Sequence, residues 1–454
     1  MTIFRNAIRT LESSELLHIE GRVVELRGLS VVVDDLPAAV GSLVSIYSSG
    51  NESIPGEVVG FASGRTIVMT LEQGMGIRPG DRVSIVQQVQ TTTVSDSMLG
   101  RVINALGQPI DGLPRIRDGI KQILYPEPYC AMNRARINQP IRTGVRAIDL
   151  MTPIGKGQRM GIFAGPGVGK STLLSQIARG TDASVNVIAL IGERGREVRE
   201  FLEDALGEEG RARSIVVVST SDEAPLMRIR ASRVACSIAE YFRDSGKDVL
   251  LMMDSITRFA HAQRQVGLSI GEPPSTRGYT PSVFSNMAML LERAGASERT
   301  GGSITGLYTV LVEGDDMTEP VADASRGILD GHILLSRDLA SQGQYPAIDI
   351  LDSISRVADQ ICDDSHLEAR RTVIRLEAKY REIEELLLVG AYTRGVDRES
   401  DMAVDYHQRI KGILAQRSTE VCPFDAGRVS LIKLTNQVDL DTAAVSSGDT
   451  THTL

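Results

Sequence analysis

The sequence predicts an α/β chain in three parts, and three patterns predict it. From about residue 17 to 90, short β-branched runs alternate with turn residues. From about 145 to 360, apolar runs of strand length alternate with helical stretches. From about 366 to 416, two long charged segments carry helical periodicity. At 454 residues the chain has room for about three domains, at ~150 residues each.

The first part reads "HIEGRVVELRG", "LSVVVDDL", "SLVSIYSS", "GEVVGFASG", "RTIVMTLE" and "DRVSIVQQ". Gly, Asn, Asp or Pro separates these runs, and that spacing of strands and turns predicts a small closed barrel over 17–92. A connector rich in Pro and Gly follows ("GQPIDGLPRIRDG", "YPEPYC"). In the second part "RMGIFAG", "VNVIALIGE", "SIVVVSTSD" and "DVLLMMD" each precede a helical stretch, and "GSITGLYTVLVEG" comes later. Strands alternating with helices predict βαβ units around a parallel sheet, assigned to residues 93–365. "HLEARRTVIRLEAKYREIEELLLV" and "RESDMAVDYHQRIKGILAQ" predict a helical domain over 366–437 with solvated charged faces. Residues 438–454 are polar and read as a flexible tail. Residues 1–16 place Ile3, Phe4, Ile8 and Leu11 near helical spacing, which fits either a frayed end or a docking segment.

Composition narrows the function. Forty-nine basic residues stand against 58 acidic ones, a net charge of −9. Nucleic-acid binding needs a basic footprint, so no nucleic-acid partner is expected. Aromatic residues make up 4% and tryptophan is absent, which also argues against a stacking platform for single strands. Cys130, Cys236, Cys362 and Cys422 are scattered with no CxxC, so a reducing cytosol fits. Cys362 and His366 are a single pair and do not make a metal site. The N-terminus lacks the apolar run of a signal peptide. No apolar stretch approaches the ~20 residues that span a bilayer.

The chemistry starts at "AGPGVGKST", Ala164–Thr172, between a strand and a helix. The backbone amides of Gly165, Pro166's neighbours, Gly167, Val168 and Gly169 can cradle phosphates. Lys170 can reach the β- and γ-phosphates, and the Ser171 hydroxyl, followed by Thr172, can ligate Mg²⁺. Ala164 stands where the first glycine of this loop usually sits. A nucleoside triphosphatase of this kind needs an acidic group near the metal on a neighbouring strand. Asp254 ends "VLLMMD". The next residue is Ser255, so the group that orients the attacking water must come from elsewhere. "ALIGERGRE" offers Glu193 and Arg194 at the C-terminal end of another strand, where open α/β sheets bind ligands. They face the γ-phosphate if the two strands are neighbours; otherwise "ERGRE" is a charged loop. "GQYPAIDILDSISR" is harder to place: it has one glycine at its head, and its final Arg356 lies far along the chain from Lys170.

Together with "IGERGREVREF", "LLMMDSITRFAHAQR", "GEPPSTRGYTPSVF" and "TGLYTVLVEGDDMTEPVAD", these motifs make the chain resemble the catalytic subunits of rotary ATPases. It is most similar to the export ATPases of flagellar and type III secretion systems, over about residues 20–435. The resemblance implies a RecA-like P-loop NTPase domain and a homohexameric ring that hydrolyses ATP with Mg²⁺. It implies that Lys170 and Ser171 hold phosphate and metal, that Glu193 polarises the attacking water, and that Asp254 holds the metal's water shell. Tyr345 would stack on adenine, or else be a core aromatic. Arg356 would be an arginine finger aimed at the next subunit's nucleotide. Arg194 and Arg258 are catalytic candidates or intersubunit ion-pair residues, and Phe424 is a loose match to a second adenine contact. The implied partners are a stator-like regulatory subunit at the N-terminus, a coiled-coil stalk subunit, chaperone–substrate complexes and a membrane export gate. The implied location is cytoplasmic, peripheral at the inner face of the membrane.

Within the resemblance, "VADASRGILDGH" favours a flagellar over an injectisome ATPase. A rotary proton-coupled synthase subunit is the competing reading, but its C-terminal turn carries an acidic lever where this chain has "LLLVGAYTRGVD". A hexameric nucleic-acid translocase is a third, and the acidic balance weighs against it.

Overall fold

The computed structural model describes residues 20–48, 53–72, 76–312, 314 and 316–448. The docking segment expected at 1–16 lies outside them. Six strands close the N-terminal barrel: β1 (Glu20–Arg27), β2 (Ser30–Asp34), β3 (Leu43–Tyr47), β4 (Ser53–Ala62), β5 (Arg65–Thr70) and β6 (Arg82–Gln87), in the order β1-β2-β5-β4-β3-β6. Antiparallel β6 pairs back onto β1, with Gly21 opposite Val83. Alternate residues point inward, so Val23, Val33, Val44, Ile46, Val58, Val68 and Val83 form one buried cluster. Closure also leaves the barrel no free strand edge.

The central sheet has nine strands. Eight form its path: β7 (Val102–Asn104), β8 (Arg159–Ala164), β9 (Val185–Glu193), β10 (Ser214–Thr220), β11 (Asp248–Asp254), β12 (Ser303–Leu311), β13 (Gly331–Leu335) and β14 (Ile348–Ser355). Their spatial order is β14-β13-β8-β12-β11-β9-β10-β7. From β13 to β7 every pairing is parallel, and β14 alone on this path runs antiparallel to its neighbour. All nine residues of β9 are buried. That explains its largely apolar sequence, in which only Asn186 and the terminal Glu193 are polar, because a central parallel strand has helices on both faces.

Helices α1 (Arg146–Met151), α2 (Lys170–Gly180), α3 (Pro225–Asp244), α4 (Ile256–Ser269) and α5 (Pro281–Leu291) accompany the sheet. One largely shielded ion pair ties α3 to the segment after α5. The Arg293 guanidinium donates to both Glu240 carboxylate oxygens at 2.7 and 2.6 Å, and to the Leu124 carbonyl at 2.9 Å. Removing one member of such a pair strands the other charge away from water. Glu240→Ala is therefore expected to cost about 3–5 kcal/mol of stability, read as a lowered denaturant midpoint without loss of the ATP site.

The C-terminal region has three helices: α6 (Asp364–Leu388), α7 (Arg398–Leu414) and α8 (Phe424–Gly448). Asp363 caps α6 by accepting from the His366 amide. Tyr380 of α6 stacks flat on His407 of α7 at 3.6 Å, and the Glu377 carboxylate accepts from the imidazole Nδ1 at 3.1 Å. The stretch read as a flexible tail begins as helix: α8 continues past Gln437 to Gly448. Its buried Leu431, Leu434 and Val438 repeat at helical spacing against the domain. Tyr406 donates to the Asp441 carboxylate at 2.5 Å, which holds the extra turns in place.

Candidate active site

The strand order brings the motifs to one edge. β8 runs into the phosphate-binding loop, β9 ends at Glu193 and β11 ends at Asp254, and β9 and β11 are hydrogen-bonded neighbours with Leu190 opposite Asp254. β12 lies between β8 and β11, so its Thr309 stands between loop and acid. This is the C-terminal edge of a parallel sheet, where open α/β folds bind ligands.

The loop's glycines are conformational requirements. Gly167 and Gly169 have φ of 79° and 95°, in the left-handed region that side chains avoid. Gly169 also packs against Tyr345: a Cβ there would lie 3.6 Å from the ring. Helix α2 begins at Lys170, and Pro166, Gly167, Ser171 and Thr172 are exposed at its mouth. A helix N-terminus with free amides suits a polyphosphate.

Lys170 lies between two carboxylates. Its ammonium donates to Asp254 Oδ1 and sits 3.7 Å from Glu193 Oε1. Asp254 Oδ1 also accepts from the Thr309 hydroxyl at 2.7 Å, which fixes its orientation. Burial pushes the Glu193 carboxyl up to about 7, and the charge of Asp254 adds to this, while Lys170 and Arg258 pull it down. A carboxyl held near neutrality suits a group that takes a proton from water at physiological pH.

Arg194 is not brought to this cluster. Its side chain is 78% exposed and faces Glu197 at 3.9 Å. The chain turns outward after Glu193, with Arg194 in extended backbone as the cap of the helix that follows. The cation acting on Glu193, besides Lys170, is Arg258, four residues after Asp254 on α4.

Beside the loop is a cavity of about 990 Å³, lined among others by Gly169, Thr172, Tyr345, Gln416 and Arg417. Tyr345 is half exposed there, so it is not a core aromatic. The loop between α7 and α8 forms the far wall, and sequence reasoning missed it. The Gln416 amide donates to the Tyr345 carbonyl at 3.0 Å. Its side-chain oxygen accepts from the Arg146 amide at 2.7 Å, and its NH₂ donates to the Gly144 carbonyl at 2.8 Å. Arg146 in turn donates to Glu420 at 2.6 Å. Nothing local in "LAQRSTEVC" signals this, because all of these partners are distant in sequence. Phe424 is not among the lining residues; it lies under the Arg142 guanidinium at 3.3 Å and beside His366. The His366 Nε2–H donates to the Leu150 carbonyl at 2.8 Å.

Arg356 lies at the other end of the sheet. β14 is antiparallel, so Ile348 pairs with Leu335 near the phosphate loop and Ser355 pairs with Gly331 at the opposite edge. Arg356 is exposed there and donates to the Arg326 carbonyl at 3.2 Å. Its own Lys170 is on the far side.

Residues 144–355 match the ATP synthase alpha/beta family nucleotide-binding domain, and residues 362–433 match the T3SS EscN ATPase C-terminal domain. The chain is 46% identical to the flagellum-specific ATP synthase of Bacillus subtilis, covering 95% of this chain and 98% of the relative. It is 45% identical to the type 3 secretion system ATPase of Xanthomonas euvesicatoria, over 89% and 91% of the two. Among solved structures it is similar to the assembled ATPase EscN of the enteropathogenic E. coli type III secretion system. There the TM-score is 0.86 at 41% identity, with 91% of this chain and 99% of that one covered. A second structure holds EscN in complex with its central stalk EscO, at a TM-score of 0.83 and 40% identity.

Proposed function

The chain belongs to the family of flagellum-specific ATP synthases and type III secretion ATPases, and from that premise we propose that it is a ring-forming ATPase of flagellar protein export. It hydrolyses ATP between subunits and spends the energy on releasing chaperones and unfolding cargo at an export gate. The observation that carries the reading is the split of the machinery. Phosphate loop, Glu193 and Asp254 meet at one edge of the sheet, while Arg356 leaves from the other.

In this reading the loop amides and Lys170 hold the β- and γ-phosphates, and Tyr345 supports the adenine. The Ser171 hydroxyl and the Asp254 carboxylate are hard oxygen donors of the kind that hold Mg²⁺ together with substrate phosphates. Bound Mg²⁺ neutralises charge on the phosphate oxygens. Glu193 accepts a proton from the attacking water, for which its raised pKa suits it. Arg356 of a neighbouring subunit stabilises charge on the transferring phosphoryl group.

The family likeness extends the partner list to a coiled-coil stalk, a stator-like subunit at the N-terminus and chaperone–cargo complexes; EscN itself is solved with its central stalk EscO. A cytoplasmic location at the membrane export apparatus goes with these; no helix among the described residues is long and apolar enough to cross a membrane. The C-terminal match favours export over a proton-coupled synthase subunit. Activity against protein concentration tests the reading. Specific ATPase activity should rise steeply as rings assemble, and a flat profile would mean that each subunit holds a complete site.

A further inference from the structure

The motif that ends in Arg356 is built around a bulge. Asp349 pairs with Leu334, and Ile354 pairs with His332, so Ile350–Ser353 stands opposite Ile333 alone. Side chains of the motif hold this excess in place. The amides of Leu351 and Asp352 donate to Asp349 Oδ1 at 3.0 and 3.1 Å. The Ser353 hydroxyl donates to the Asp349 carbonyl at 2.5 Å and accepts from the Leu334 amide at 3.0 Å. Past the bulge, Gln158 donates to the Ser355 hydroxyl at 3.2 Å, and the Arg356 amide donates to the Asp330 carbonyl at 3.0 Å. The Asp, the two serines and the final arginine thus form one object: a shaped strand with Arg356 at its exit.

One side chain from outside the strand grips that object. Arg381 of α6 donates from one nitrogen to both carboxylate oxygens of Asp349, at 2.7 Å each, and from another to Asp352 at 3.0 Å. The Asp349 side chain is only 13% exposed, so this contact is better shielded than an ordinary surface pair. The planar guanidinium fork spans both ends of the bulge turn, which a lysine does not.

We propose that Arg381 is a positioning residue for catalysis on the neighbouring subunit: by clamping the Asp349–Asp352 bulge to α6, it sets where Arg356 emerges. This rests on the reading of Arg356 as an intersubunit group. It also gives the C-terminal helices a direct mechanical hold on the next subunit's active site.

The test uses the full-length chain at a concentration where rings form. Arg381→Ala and Asp349→Asn should each lower kcat about 10- to 100-fold, the scale of a misplaced catalytic group, with KM for ATP and melting temperature unchanged. Asp349→Asn retains an oxygen for the bulge amides while losing the ion pair, so it separates clamp from fold. Arg381→Lys should be intermediate. The decisive readout is complementation. Arg381→Ala subunits keep an intact phosphate loop, and Lys170→Ala subunits keep an intact, well-placed Arg356. An equal mixture joins the two at about a quarter of ring interfaces and should exceed the activity of either variant alone. An equal mixture of Arg356→Ala with Lys170→Ala is the control for the underlying reading. If that control does not recover, the intersubunit role of Arg356 fails and the inference falls with it. If the control recovers and the Arg381→Ala mixture does not, only the clamp is refuted. An unchanged kcat, or a loss accompanied by a raised KM or a lowered melting temperature, also overturns it.

Discussion

Glu193→Gln is expected to bind ATP as the parent chain does and to turn it over at least ~10²-fold more slowly, the scale of losing a positioned proton acceptor. The substitution keeps the side chain's shape and removes its ability to take a proton. It should not disturb the phosphate loop, because Lys170 keeps its contact with Asp254, which Thr309 holds in place. Nucleotide affinity is expected to hold steady or rise, since one carboxylate fewer faces the phosphates. Titration with a fluorescent ATP analogue, alongside steady-state phosphate release, separates the two effects. Residual hydrolysis near the parent rate would move the water-activating role to another group.

For Arg356→Ala, the expected loss is larger and falls elsewhere. An arginine that stabilises transferring phosphoryl charge is worth ~10³–10⁵ in rate, roughly 4–7 kcal/mol of barrier. ATP affinity should stay largely intact, because the side chain leaves from the sheet edge opposite its own phosphate loop. In an equal mixture with parent subunits, about half of the interfaces lack the arginine. The lost sites then include parent phosphate loops, which are intact in themselves. Single-turnover kinetics on such mixtures reads this directly. Should the variant lose ATP binding instead, Arg356 would belong to its own subunit's pocket.

The barrel and the alternating core were legible because each rests on local periodicity. Alternation with turn residues marks β1–β6, and largely apolar runs mark β8, β9 and β11. The phosphate loop was legible because its chemistry is contiguous in sequence. The pairing of Glu193 with Asp254 depended on strand order, which no single stretch encodes. The Gln416 loop was invisible for a related reason: its meaning comes from Tyr345, Arg146 and Gly144, which only the fold brings near. The end of α8 went unread because the polar stretch after Gln437 carries Val438 as its buried apolar residue among those described, in step with Leu431 and Leu434 before it. Arg194 shows the converse. Its neighbour Glu193 is a strand-end residue, but one step further the backbone has already turned to solvent.

β14 begins within three residues of Tyr345 and ends one residue before Arg356. In the proposed ring a single strand thus joins the tyrosine beside its own subunit's phosphate loop to the arginine offered to the next subunit. Contacts of this head-to-tail kind have a direction. Every such link points the same way round that ring, so a change beside one subunit's Tyr345 has a route to one neighbour and not to the other.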